Sequence, residues 1–354
     1  MDLRLLDSQR ISALTPADLD LLVHQIGHTP LQLIYLMING IARTVYLKLE
    51  GANPTGSIKD RTGYALVQNL EEQGMLSSNT IAVESTSGNL GVALALICKA
   101  RGYTFIAVID PKTTSENRAK MQALGARIEL VEQPDTNGGY LLSRLERVQQ
   151  LCRQSQSIVW TNQYSNPVNP LIHYRSTGPE IYHQMEREVD AIFVPVSTGG
   201  TLAGISSYFR EVSPRTHIIA VDAQGSVIFG APPAPRKLTG IGSSQASHFI
   251  TSCVYDQSIL IGDAEAFTFC RTLDVYTGLK VGGSSGAVLA ACARYLQIHP
   301  HLRNVVCVCS DSGENYGTSI FNDTWLKQHG FSPPLQLPMP VQDIRIGETL
   351  SITT

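Results

Sequence analysis

Asn53-Pro54-Thr55-Gly56-Ser57-Ile58-Lys59-Asp60-Arg61 is the stretch on which the chain turns. An apolar, strand-like run from Val45 to Leu49 precedes it, and a helix-like run from about Asp60 to Gln73 follows. A lysine is thereby set on a glycine-containing turn at the mouth of a helix, where an amine can be held against a carbonyl compound. Taken alone, Asn-Pro-Thr-Gly is ordinary turn chemistry, and Ser57 with Asp60 three residues on marks a helix start. A single lysine before a helix is most often a solvated surface charge. The stretch gains weight because the same kind of junction recurs downstream.

Beyond the Lys59 helix, strand-like runs fall at Thr80 to Val83, Thr104 to Ile109, Arg127 to Val131 and Ser157 to Trp160. Helical runs lie between them at Leu90 to Ala100, Ser115 to Leu124 and Gly139 to Cys152. The alternation continues with Ala191 to Val196, Thr201 to Glu211 and His217 to Val221, and later Gly286 to Leu296 and Asn304 to Cys309. Strands alternating with helices predict an α/β chain with open, mostly parallel sheets. In such sheets ligands gather beyond the carboxyl ends of strands, where loops enter helices.

Three further loops of this kind are rich in small and hydroxyl residues. Glu84-Ser85-Thr86-Ser87-Gly88-Asn89-Leu90-Gly91 offers amides and hydroxyls suited to a carboxylate, although a capped helix behind a Gly-rich turn reads the same way. Ser197-Thr198-Gly199-Gly200-Thr201 is an anion cradle sized for a phosphate, and it lacks the Lys-Ser/Thr pair of a Walker loop. Gly282-Gly283-Ser284-Ser285-Gly286-Ala287 opens another helix.

Composition narrows the field. Of 354 residues, 43% are apolar and 16% charged, against a usual charged share of about 25%. A net charge of -3 argues against nucleic acid as the main partner. No apolar run reaches the roughly 18 residues that span a bilayer, and no secretory signal is seen, so no membrane partner and a cytoplasmic location are expected. The seven scattered cysteines read as reduced thiols, and Cys307-Val308-Cys309 as a buried strand rather than half a metal site. No G-x-G-x-x-G follows an early strand, which disfavours a nicotinamide dehydrogenase.

Together the four motifs resemble, in order, those of the fold-type II pyridoxal-phosphate enzymes of the cysteine synthase and cystathionine β-synthase group. The resemblance runs from about Ile26 to Tyr316, beginning with Ile26-Gly27-His28-Thr29-Pro30. It implies that Lys59 carries pyridoxal 5'-phosphate as a Schiff base and that Asn89 bonds its phenolic oxygen. It also implies that Ser197, Thr198, Gly199, Gly200 and Thr201 grip its phosphate and that Ser284 meets the pyridine nitrogen. Ser85, Thr86, Ser87 and Leu90 would surround the substrate carboxylate. Leu90 and Ser197 depart from the family's usual Thr and Gly. The implied fold has two twisted sheet domains like the tryptophan synthase β-subunit. One spans 44–165, a larger one 1–43 and 166–330, and 331–354 is a proline-rich tail. The N-terminal segment would cross to the second domain, and a homodimer is implied.

Longer segments resemble a narrower branch, the N-(2-amino-2-carboxyethyl)-L-glutamate synthases, which begin 2,3-diaminopropionate synthesis for siderophores and peptide antibiotics. These are Glu84 to Gly91, Pro134 to Leu141, Asn162 to Asn166, Val221 to Gly230 and Asp323 to Leu326. The implied reaction joins O-phospho-L-serine to L-glutamate by β-replacement, with Lys59 moving the α-proton; the product would pass to an NAD-dependent dehydrogenase. Arginine suits the extra anions. Arg144, Tyr164 and Ser197 are the leading candidates and Arg236 the next, each arginine weighed against a solvated surface charge. The alternatives are a cysteine synthase using O-acetylserine or O-phosphoserine, and a non-catalytic amino-acid sensor on the same fold.

Overall fold

The computed structural model describes residues 3, 8–135, 139–332 and 341–351. Thr136 to Gly138 of the branch-like segment and, of the expected tail, residues 333–340 and 352–354 lie outside the described residues. In chain order the first elements are α1 (Ser8–Ser12), α2 (Pro16–His24), β1 (Leu31–Ile38), β2 (Ile41–Leu49), α3 (Lys59–Glu72), β3 (Ile81–Ser85) and α4 (Asn89–Ala100). Then come β4 (Thr104–Ile109), α5 (Ser115–Ala123), β5 (Arg127–Leu130), α6 (Leu141–Gln154), β6 (Ile158–Trp160), α7 (Val168–Ile172) and α8 (Gly178–Gln184). The rest are β7 (Ala191–Pro195), α9 (Gly200–Val212), β8 (His217–Ala223), β9 (Gln257–Ile261), α10 (Asp263–Thr277), α11 (Gly283–Ile298), β10 (Val305–Cys309), α12 (Asp323–Gln328) and β11 (Val341–Leu350).

These elements form two compact units. The first comprises the described residues through Gly27 and Asn53–Ile172. Its four strands run parallel in the order β5-β4-β3-β6. Successive side chains face opposite ways. Ala82 and Ala107 pack with apolar residues of α2 to α5, whereas Val83 and Val108 pack with Val148 and Leu151 of α6. Each face of the sheet is thus covered by helices, as parallel sheets require.

The second unit holds His28–Ala52 and the described residues from His173 onward. Its seven strands lie in the order β11-β1-β2-β10-β7-β8-β9. The pairs from β2 to β9 are parallel; β1 runs antiparallel to both β2 and β11. The β1–β2 hairpin turns on Asn39 and Gly40, at φ of 52° and 76°. That is the Asn-Gly pair a tight two-residue turn selects. α10 and α11 cover one face through Phe267, Leu273, Val288 and Leu296, packed against Phe193, Ile219 and Val221.

The division of the chain differs from the expected 44–165, 1–43 with 166–330, and 331–354. Leu19, Leu22 and Val23 of α2 are buried with Leu66 and Leu94 in the first unit, so the segment up to Gly27 stays there. The excursion into the second unit is 28–52, drawn in because β2 pairs with β10. Residues 341–350 are not irregular tail but the edge strand β11, whose Val341 and Ile344 enter the core.

A fully buried charge stands inside the second unit. Lys48 Nζ of β2 donates to Glu180 Oε2 at 2.7 Å, Thr29 O at 2.7 Å and Gln184 Oε1 at 2.8 Å. Glu180 Oε1 accepts from His28 N at 3.0 Å. All three ammonium protons have an acceptor, the condition under which a lysine survives burial.

Candidate active site

The first unit holds Lys59 and the carboxylate-type loop. Asn53 is buried and its Oδ1 accepts from Gly27 N at 2.9 Å. Gly56 takes φ of +90°, a turn geometry that favours glycine. Asp60 folds back to accept from Thr55 N at 2.7 Å and from the Thr55 hydroxyl. The helix start differs from the expected Ser57–Asp60 pairing: Ile58 is the flanking residue, and Ser57 Oγ accepts from Lys59 N at 3.2 Å. The turn is therefore braced by Asp60, and Lys59 becomes the first residue of α3. Its amine has no hydrogen-bond partner among the described residues. Burial lowers its pKa to about 8, and the nearby Glu84 carboxylate works against that.

The 85–89 loop leaves β3 and enters α4 at Asn89. Thr86 N donates to Val108 O at 2.9 Å, which pins the loop to the neighbouring strand. Ser85 Oγ is buried without a partner among the described residues. Leu90, where only a backbone contact with a substrate carboxylate is expected, puts its side chain in the apolar cluster of α2 to α5. Its helical repeat decides this: Leu90 shares a face with Leu94 and Ile97, so only its backbone can serve the loop.

Arg144 and Tyr164 come together in this unit. Arg144 on α6 is not a solvated surface charge but is 7% exposed, with Nε 3.2 Å from Asp110 Oδ2 at the end of β4. Neither terminal guanidinium nitrogen is hydrogen-bonded among the described residues. Burial pushes the Tyr164 phenol up to about 12; Arg144 opposes this, and Glu84 and Asp110 add to it. The phenol is thus held as a neutral donor beside a cation.

The second unit holds the phosphate-type loop. β7 ends at Pro195, and Gly199 at φ of +91° flanks the first turn of α9. A Cβ on Gly199 would lie 2.3 Å from Ser247 Oγ and 2.9 Å from Ile250 Cγ1, so this left-handed, closely packed turn favours glycine. Ser247 Oγ donates to Thr198 O at 2.6 Å, and Ser197 Oγ to Gly242 O at 3.3 Å. Thr201 Oγ1 lies 3.3 Å from Nε2 of the buried His173, which stands on a π turn spanning His173–Thr177. Ser284, on the first turn of α11, is 1% exposed and its Oγ has no partner among the described residues. Arg236 is half-buried; its Nη1 donates to Gly225 O at 3.1 Å, and it neighbours Asp222, whose carboxyl burial raises to about 6.

Each unit by itself carries groups that fit pyridoxal phosphate. Ser284 presents a buried, unsatisfied hydroxyl, a cost that a ring nitrogen would relieve. Gly199 opens an amide cradle, and Lys59 has an amine of depressed pKa. No group of metal-ligating side chains occurs among the described residues, and Cys307 and Cys309 are buried in β10. Among the described residues no helix is long and apolar enough to cross a membrane. Glu84, Asp110, Asp222 and His173 escaped the sequence reading. The signal for the first three was a lone carboxylate closing an apolar strand.

A family model described as pyridoxal-phosphate dependent enzyme matches residues 22–311. Among solved structures, the chain is similar to an O-acetylserine dependent cystathionine beta-synthase from Helicobacter pylori, at 30% identity and a TM-score of 0.78, covering 84% of this chain and 97% of that one. A hydrogen sulfide-producing enzyme from Fusobacterium nucleatum is similar at 28% identity and a TM-score of 0.78, over 83% and 97% of the two chains. O-ureido-L-serine synthase is similar at 27% identity and a TM-score of 0.78, over 86% and 98%.

Proposed function

Because the chain belongs to the pyridoxal-phosphate dependent enzymes, we propose that it catalyses a β-replacement that joins O-phospho-L-serine to L-glutamate, giving N-(2-amino-2-carboxyethyl)-L-glutamate and phosphate. The observation that carries this reading is Arg144: a buried guanidinium with both terminal nitrogens unused by the described residues, beside the neutral donor Tyr164 and in the same unit as Lys59. Such a group suits a phosphate or carboxylate bound by two parallel bonds.

When bound, pyridoxal phosphate supplies the electron sink that makes the substrate α-carbon acidic. The chain's residues do the rest. The amides and hydroxyls of the 85–89 loop hold the α-carboxylate at the mouth of α4. Lys59, with its pKa near 8, is neutral often enough at physiological pH to take the α-proton and later return it. The first turn of α9 with Ser197, Thr198 and Thr201 would hold the phosphate of a bound cofactor, Ser284 would meet its ring nitrogen and Asn89 its phenolic oxygen. Arg144 neutralises the departing phosphate or a glutamate carboxylate, and Tyr164 donates alongside it.

Purified protein given O-phospho-L-serine with either L-glutamate or sulfide tests the reading by the mass of the product. The expected result is the glutamate adduct, with a loss of about 10- to 100-fold in kcat/KM on Arg144→Ala. The second reading, a cysteine synthase, draws on the relatives named for O-acetylserine and for hydrogen sulfide. Cysteine formed from sulfide with glutamate inert, from O-phospho-L-serine or from O-acetylserine, would establish it instead.

A further inference from the structure

Glu84, near the end of β3, is wholly buried. Four donors converge on its carboxylate. Ser85 N at 2.8 Å and Trp160 Nε1 at 3.2 Å bond Oε1; Thr161 Oγ1 at 2.5 Å and Gln163 N at 3.0 Å bond Oε2. The two amides and the indole can only donate, while the Thr161 hydroxyl can also accept. Burial, the largest influence, leaves this carboxyl above the ordinary carboxylate range although each of the four bonds works against it. Three obligate donors on its two oxygens favour the ionised form.

Two parts of the first unit depend on it. The Ser85 amide opens the 85–89 loop, and Gln163 Nε2 donates to Ser85 O at 3.0 Å, so the carboxylate and its neighbour tie that loop to the 160–163 segment leading into Tyr164. Its charge also reaches the groups packed around it. Lys59 on α3 is held more basic by it, and Cys152 on α6 and the Tyr164 phenol are pushed up. Arg144 and Asp110 face Tyr164 as a pair.

We propose that Glu84 is a positioning residue of the reaction: its ionised carboxylate locks the 85–89 loop to the segment that carries Tyr164 and supplies the fixed negative charge that the Lys59 amine faces. The proposal rests on the role given to Lys59 above. Without Glu84 the buried ammonium of Lys59 would lose its counter-charge and shed its proton at lower pH.

The test follows the rate at which cofactor-free protein takes up pyridoxal phosphate across pH, since only the neutral amine attacks the aldehyde. Uptake by the wild type should rise through about pH 8, and Lys59→Ala should abolish the lysine-bound visible band. Loss of that control, with uptake unaffected, would fault the role of Lys59 and not that of Glu84. Glu84→Gln should move the profile down by roughly one pH unit. Should Glu84→Gln fail to fold, Thr161→Val weakens the carboxylate's hold on its charge and should move the profile the same way by less. Variants that lose melting temperature while their profiles overlay the wild type would reduce Glu84 to a structural residue and overturn the proposal.

Discussion

Lys59→Ala should lower β-replacement by roughly three orders of magnitude or more, the scale of a combined nucleophile and general base. The visible band of lysine-bound pyridoxal phosphate should vanish with it, as a spectrum of the purified variant would show. The fold should survive. The side chain makes no hydrogen bond to the described residues, and its depressed pKa means that the folded state pays for burying an ammonium. The sign can be followed with pH. In the unfolded chain a lysine titrates near its ordinary 10.5; in the folded one near 8. The penalty is complete below about 8 and is relieved as pH climbs towards 10.5, because the unfolded chain then holds the extra proton. Cofactor-free Lys59→Ala should therefore melt higher than the wild type at pH 7, with the gap narrowing above pH 8. Retained activity and an unchanged spectrum would remove the basis of the proposed chemistry.

The largest effect on stability is expected from Lys48→Met. It would leave Glu180 as a buried carboxylate without its ammonium, and deprive Thr29 O and Gln184 of a donor. Breaking one side of a buried pair costs about 3–5 kcal/mol, far more than an intact pair contributes over an apolar replacement. For a unit of this size that is a fall of roughly 6–20 °C in melting temperature. Lys48→Met combined with Glu180→Gln should recover part of the loss, because the uncompensated charge is gone. A single variant that melts with the wild type would show that the Lys48 site is open to water, contrary to its full burial.

Two kinds of residue were readable in one dimension. Strands such as Val305–Cys309 and Ala191–Pro195 are short, unbroken apolar runs, and parallel strands buried on both faces have no other sequence signature. Glycine- and hydroxyl-rich loops at strand ends are likewise local, because an anion cradle is built from consecutive amides. Gly199 and the Lys59 turn could therefore be placed before any coordinates. The Asn39-Gly40 turn was equally local and marks the hairpin that the reading passed over.

What tertiary structure alone decided depends on pairs far apart in the chain. Val341–Leu350 falls in what reads as a proline-rich tail and becomes a strand only because β1 offers an open edge. Leu90 lies in a loop motif, yet its side chain is claimed by the core, since helix periodicity outranks motif membership. Whether Arg144 is a surface charge or a buried one is set by Asp110, 34 positions away just after β4, and by the desolvation they share. Glu84 is an ordinary acidic residue in the sequence; only in the folded chain do four donors from Ser85 and the 160–163 segment converge on its buried carboxyl. By itself the sequence determined which residues could do chemistry, because turn and strand propensities are local. Burial and the distance between charges, which set proton affinity and therefore chemical role, exist only once the chain has folded.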